Sequence, residues 1–384
     1  MQQKIEKVFF ALIRFEFGAE LSQEIKNLIT IDLLQPLFKL SKRHDLAHLI
    51  GDALYKNRLL PENSEVKKRF LQERSMAVYR YEQIQYEFEQ ICSVLEEERI
   101  PFVPLKGSVI RNLYPQPWMR TSCDIDVLVK KKDLSLAIGG IVRNLNYTKK
   151  DTGSHDVDLF AENGVHLELH YKLASSRDVW RNILEKVWDY TENYTGYRYL
   201  LTQEMFYFYH IAHMAGHFRF GGCGVRSFLD LYLMRKYNQY DERILAGLLK
   251  EGGLASFNNA VVKVADCWFG GGERTELVVE IESYVLYAGM YGDMQNRVAV
   301  AKIENGGKWK FLFFRIFLPY EKLKFQYPKL QKWPILYPFY VVKRWFKLLR
   351  KDSRKKSLKE LKEATQGDTK KQEFIAKLLK DLDL

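Results

Sequence analysis

Two apolar strands joined by a short, turn-rich stretch, the second with aspartates at alternate positions, constrain this chain more than any other feature. The run IPFVPLK (100–106) reads as a buried strand. Gly107 and Ser108 turn it into a brief helical segment, a loop with Pro115 and Pro117 follows, and CDIDVLV (123–129) forms the second strand. Alternate residues of a strand point to one face, so Asp124 and Asp126 sit side by side. Adjacent carboxylates repel and lose hydration unless a cation lies between them, and such oxygen ligands suit Mg²⁺ shared with substrate phosphates. A solvated strand end would also explain a lone Asp-Ile-Asp. Its surroundings argue for more. Lys106, Gly107 and Ser108 open a helix whose free N–H groups suit phosphate, and Arg120 could clamp a further phosphate oxygen.

Around this unit the pattern is α+β. Residues 1–98 carry helical apolar stripes, including one from Ser64 to Glu98 with Phe70, Ala77, Tyr81, Ile84, Phe88 and Ile91. His44, Asp45 and His48 read as surface or capping residues. Leu134 to Leu145 reads as a crossover helix, and the alternating runs DVDLFAE and VHLELHYKL, parted by Asn163-Gly164, form a hairpin with a two-residue turn. The expected architecture is a small mixed sheet with helices on one side. It divides into an N-terminal helical region (1–98), a core (99–200), a helical domain (201–305) and a basic, aromatic-rich tail (306–384). His166, Glu168 and His170 share one strand face, either as a polar outer surface or as transition-metal ligands. Asp158, on the opposing arm with His155 and Asp156, is another candidate carboxylate. Further on, Phe206, His210, His213 and His217 fall on one helical stripe. Arg226 and Asp230, after the glycine-rich turn Phe220–Gly224, form either an intrahelical ion pair or a site in which Arg226 or a histidine faces phosphate.

The Gly-Ser pair followed by an apolar-flanked Asp-x-Asp resembles the DNA polymerase β-like nucleotidyltransferase superfamily. The fuller pattern LKG…R…DIDVLV with VHLELHYKL resembles the broad bacterial family known as uncharacterised nucleotidyltransferases, over most of the chain and with its motif core from Leu105 to Leu173. The resemblance implies a nucleotidyltransferase-type sheet and transfer of a nucleoside monophosphate from an NTP to an acceptor hydroxyl. It makes Glu168 the third carboxylate beside Asp124 and Asp126, holding two Mg²⁺ ions ~3.5–4 Å apart. His170 would support them, and Lys106, Gly107, Ser108, Arg120, His213 and Arg226 would face the nucleotide. This requires the side chains at 124, 126 and 168 to converge, with no salt-bridged lysine filling the gap among them. The rivals are a catalytically idle nucleotide-binding scaffold and a metal-dependent hydrolase using His166, Glu168 and His170.

Charge separates the tail from the rest. Residues 306–384 hold 21 Lys/Arg against 8 Asp/Glu, whereas the first 305 hold 39 against 40, so the whole net charge of +12 belongs to the tail. Between Lys308 and Leu349 aromatics alternate with Lys and Arg; core packing ranks first for this segment, contact with a membrane surface second and nucleic acid third. Ser353 to Lys371 reads as flexible, and Phe374 to Leu382 as a short amphipathic helix. Cys92, Cys123, Cys223 and Cys267 show no metal or disulfide spacing. The N-terminus lacks a signal-peptide pattern, and no apolar run reaches the roughly eighteen residues a membrane span needs. These features place the chain in the cytoplasm, with peripheral membrane contact as a secondary expectation.

Overall fold

The computed structural model describes residues 1–174, 179–288, 294–304, 309–310, 313–314, 317–320, 323–324, 327, 329–348 and 369–384. The chain opens with four helices, α1 (Gln2–Glu16), α2 (Gln23–Leu28), α3 (Ile31–Arg43) and α4 (Ala47–Lys56), and then the long α5 (Glu65–Glu97). Ser64 caps α5 by accepting from the Lys67 amide, which satisfies one of its orphan donors. Of the stripe expected on α5, Phe70, Ala77, Ile84, Phe88 and Ile91 are buried, while Tyr81 lies under the Arg111 guanidinium. His44 and His48 correct the expectation of surface roles: both are buried, and His48 Nε2 lies 2.8 Å from the Met119 carbonyl. His48 fastens α4 to the loop that leads to the aspartates, while His44 Nδ1 accepts from the Val225 amide at 3.4 Å.

The sheet has seven strands: β1 (Phe102–Pro104), β2 (Asp124–Val129), β3 (Thr148–Thr152), β4 (Asp156–Phe160), β5 (His166–His170), β6 (Thr191–Thr195) and β7 (Arg198–Leu201), in the order β3-β4-β5-β2-β1-β7-β6. β2 runs antiparallel to β1 and parallel to β5. Between β1 and β2 come a single helical turn, α6 (Gly107–Ile110), and two 3₁₀ turns. The crossover helix α7 (Leu134–Leu145) stands where expected, and the single-turn α8 (Arg181–Leu184) comes before β6. The β4–β5 hairpin forms too, but its loop is Glu162–Gly164: Ala161 pairs with Val165, and Gly164 takes a φ of 85°. Asn163 is spent inside that turn, its Oδ1 accepting from the Val165 amide, so the two-residue reading was one residue short.

Ile125, Val127, Val129, Val157, Leu159, Leu167 and Leu169 face one side of the sheet, where they pack on Ile84, Phe88, Ile91, Val94 and Leu95 of α5 and Ala137 and Ile141 of α7. Each such aliphatic side chain stabilises the fold by about 1.5–3 kcal/mol. The period-two rule therefore sends the acidic residues of β2, β4 and β5 to the opposite face. Helices are not confined to the core side: Tyr209 of α9 (Gln203–Arg219) reaches Lys106 beside those acids.

Contacts gather the chain into two compact units, Met1–Met214 with Gly224–Val279, and Ala215–Cys223 with Glu280–Leu384. The first holds the sheet, together with α10 (Val225–Tyr237), α11 (Glu242–Glu251) and α12 (Ala255–Ala265). In the second, Tyr284 donates to the Phe218 carbonyl at 2.9 Å, and Leu323, Leu330, Tyr340 and Val341 form a small core. The terminal amphipathic helix is present as Thr369–Asp381, with Ile375, Leu378 and Leu379 buried. The segment read as flexible falls, from 353 to 368, outside the described residues. Among the described residues no helix is long and apolar enough to cross a membrane.

Candidate functional site

Register brings the acids together. In the parallel pairing of β2 and β5, Asp126 stands opposite Glu168 and Asp124 opposite His166. Two sets of side chains offer ligand atoms within 4.8 Å of one another: Asp124, His166 and Glu168, and Asp126, Glu168 and His170. They share Glu168. Asp158, the rival carboxylate, also faces Glu168 across the hairpin but is engaged by His166 Nε2 at 2.9 Å and belongs to neither set.

Electrostatics separates the carboxylates. Asp126 is 3% exposed, and its burial would raise its pKa. Lys106 Nζ and His170 Nε2, each 2.8 Å from Oδ1, overcome that and hold it far below the usual carboxylate range. Glu168 is also lowered, first by its contact with His170 at 3.4 Å. Asp124 is pushed up to about 6 by burial and by the neighbouring Asp126. Burial would lower His170, yet its bonds to Asp126 and Glu168 push it up to about 9. Three acids with two internal cations leave excess negative charge at neutral pH, which adds to burial in raising Asp124. This donor set fits a divalent ion.

The lysine departs from the sequence expectation. The three acids converge as required, but Lys106 ion-pairs with one of them. It shares Asp126 Oδ1 with His170, which leaves Oδ2 outside both bonds. Lys106 reaches this position from a strained backbone (φ 43°, ψ −115°) at the end of β1, and Tyr209 borders its ammonium.

The other residues expected at phosphate find protein partners. Gly107 opens a helix of only four residues, so no developed dipole points into the site. Its lack of a side chain serves packing, because a Cβ there would stand 2.7 Å from Arg120 Nη1. The Ser108 amide bonds to the Leu105 carbonyl at 3.2 Å. Arg120, expected on a phosphate oxygen, is buried against Asp230 at 3.0 Å, and Tyr114 donates to the same carboxylate at 2.7 Å. Arg226 is not paired with Asp230 either; it donates to Asp45 at 2.7 Å and to the Thr121 carbonyl at 2.9 Å. Both arginines thus brace residues 120–121, immediately before β2. Of the histidine stripe, His210 lies 3.0 Å from the Ser227 carbonyl, His213 is half-buried with its ring centroid 6.3 Å from that of Tyr209, and His217 belongs to the second unit.

Tyr209, Tyr114 and Thr121 were not singled out in the sequence, and Asp45 was read only as a surface or capping residue, whereas it accepts from Arg226 and Thr121. Tyr209 stands in the run MFYFYH, where nothing local distinguishes it from the neighbouring aromatics.

A mixed sheet that sets Asp-Ile-Asp on one strand beside a glutamate on its parallel neighbour defines an α+β protein with an acidic cluster that could hold a metal ion. The sequence model of the family described as "Uncharacterised nucleotidyltransferase" matches residues 34–270, and the chain belongs to that family. No curated protein matches the chain.

Proposed function

We propose that the protein transfers a nucleoside monophosphate from an NTP such as ATP to a hydroxyl of an acceptor, with release of pyrophosphate. The observation that carries this reading is the in-register pairing of β2 with β5, which gathers Asp124, Asp126 and Glu168 on one face. These three would hold Mg²⁺, which when bound neutralises the triphosphate and lowers the pKa of the acceptor hydroxyl. The acceptor oxygen, releasing its proton to solvent, would bond to the α-phosphorus as the bond from that phosphorus to the pyrophosphate oxygen breaks. Lys106 has its charged end in the cluster, whereas Arg120 and Arg226 are held by Asp230 and Asp45. Shifted from Asp126 to a phosphate oxygen, the Lys106 ammonium would offset charge developing on the leaving group. His170 keeps Glu168 and Asp126 ionised and oriented. In this reading residues 99–200 are the catalytic core of a cytoplasmic enzyme, flanked by helical regions 1–98 and 201–305, and 306–384 is a basic tail.

The Lys106–Asp126 ion pair favours a second reading, a nucleotide-binding scaffold in which the lysine permanently takes the place of a metal. Incubation with Mg²⁺ and each labelled NTP separates the two, since only an enzyme moves label onto protein, RNA or a small molecule. Asp124→Asn and Asp126→Asn are expected to abolish transfer with an unchanged circular dichroism spectrum. Transfer that persists in both variants would overturn their assignment.

A further inference from the structure

The second compact unit leaves an apolar face uncovered among its described residues. The helix Tyr337–Leu348 turns Tyr340, Val341 and Arg344 inward, and the first two join Leu323 and Leu330 in the small core. On its other side Phe339, Val342 and Phe346 follow one another at spacings of three and four, which aligns them on one stripe. Phe339 is 62% and Phe346 68% exposed, and the turn leading into the helix adds Trp333 at 63% and Ile335 at 85%. Single exposed apolar side chains are ordinary, but a set gathered on one helix and its lead-in marks a contact surface.

The surrounding charge says what kind of contact. Lys329 and Lys332 are exposed just before Trp333, and Lys343 lies on the outer stripe with its ammonium 5.6 Å from the Tyr340 ring. Between Trp309 and Leu348 the chain holds 9 Lys/Arg and one acidic residue, Glu321. The occupant is therefore anionic and also offers apolar depth. Ile335 and Val342 are aliphatic and give a nucleobase nothing to stack on. An anionic bilayer satisfies both demands, with apolar side chains at the acyl boundary and cations among the headgroups.

We propose that this face docks the protein on an anionic lipid surface, lying in the interface without crossing it. The proposal does not depend on nucleotidyl transfer, so Asp126→Asn should bind lipid as the unaltered protein does. The test is co-sedimentation of the full chain with vesicles of phosphatidylcholine, with and without phosphatidylglycerol. Binding is expected only to the anionic vesicles and should weaken as salt rises. Phe339→Ser with Phe346→Ser should reduce it about tenfold or more, since each removes apolar area from the interface, and an unchanged melting temperature would show that the fold is kept. Lys329→Glu with Lys332→Glu should reduce it as well. Absence of sedimentation, equal binding to neutral vesicles, or indifference to the Phe339/Phe346 pair would each overturn the proposal. Concentration-dependent self-association abolished by that pair, without vesicle binding, would assign the face to a second copy of the chain.

Discussion

Lys106 stands where the candidate chemistry and the stability of the site meet. Its burial costs hydration, and the Asp126 carboxylate compensates. Removing the ammonium leaves the buried Asp126 with His170 as its one bonded cation, a loss toward the lower end of the roughly 3–5 kcal/mol that breaking a buried pair costs. In an enzyme that loads Mg²⁺, the ion can take over part of that compensation. Lys106→Met is therefore expected to lower the melting temperature strongly in EDTA and much less in Mg²⁺. An equal loss in both buffers would favour the idle scaffold. Gly107, one residue on, makes a purely steric prediction. A methyl group there would meet Arg120 Nη1, and Arg120 cannot retreat without leaving Asp230. Gly107→Ala should cost about 1–3 kcal/mol by urea denaturation, as overpacking does. Gly139→Ala on α7, with open space around it, should be neutral or stabilising by about 0.5–1 kcal/mol.

At the scale of elements, β2 is held by sheet pairing along its length and, just before it, by the buried Arg120 and by the half-buried Arg226 of α10, which bonds to Thr121. Arg120, Tyr114 and Asp230 fasten this approach to α10. Asp230→Ala should destabilise by about 3–5 kcal/mol, and because it strands Arg120, adding Arg120→Met should cost much less than the sum of the two single changes. Strictly additive costs in that double-mutant cycle would show that the pair is not coupled. The same elements show what was legible in the sequence. β2, β4, β5 and α7 announced themselves because their side chains alternate or repeat against a buried face. β3 (TKKDT) is exposed throughout, and β6 (TENYT) nearly so, and an edge strand with no buried face leaves no apolar period to read. The convergence of Asp124, Asp126 and Glu168 followed from period two together with a family resemblance. The partners of Arg120, Arg226 and His48 did not, because each bond spans some 70 or more residues and no local pattern encodes it.

For the molecule as a whole, buried histidines of opposite character make stability depend on pH from both sides. His48 and His210 have lowered pKa values, first because burial disfavours the charged ring. An unfolded chain protonates them near 6.5, while the folded chain does not, so acid drives proton uptake by the unfolded state and stability falls as pH drops below that value. His170 works in the other direction. Its folded value of about 9 exceeds the ordinary 6.5, so its contribution is complete below 6.5 and is lost as pH rises through about 9. All three residues lie in the first compact unit, and each unit of pKa difference corresponds to about 1.4 kcal/mol. Urea titrations of metal-free protein between about pH 5 and about pH 8.5 should therefore show a stability maximum with two separable limbs. Above that range the half-buried Cys92, pushed up from 9.0 to about 12, and buried tyrosines such as Tyr209 add an alkaline loss of their own. His48→Gln or His210→Asn should flatten the acid limb alone, whatever each costs at neutral pH. His170→Asn should flatten the alkaline limb alone. An alkaline limb that survived His170→Asn would mean that the imidazolium is not what keeps Asp126 and Glu168 together, and the neutralising role would fall to Lys106.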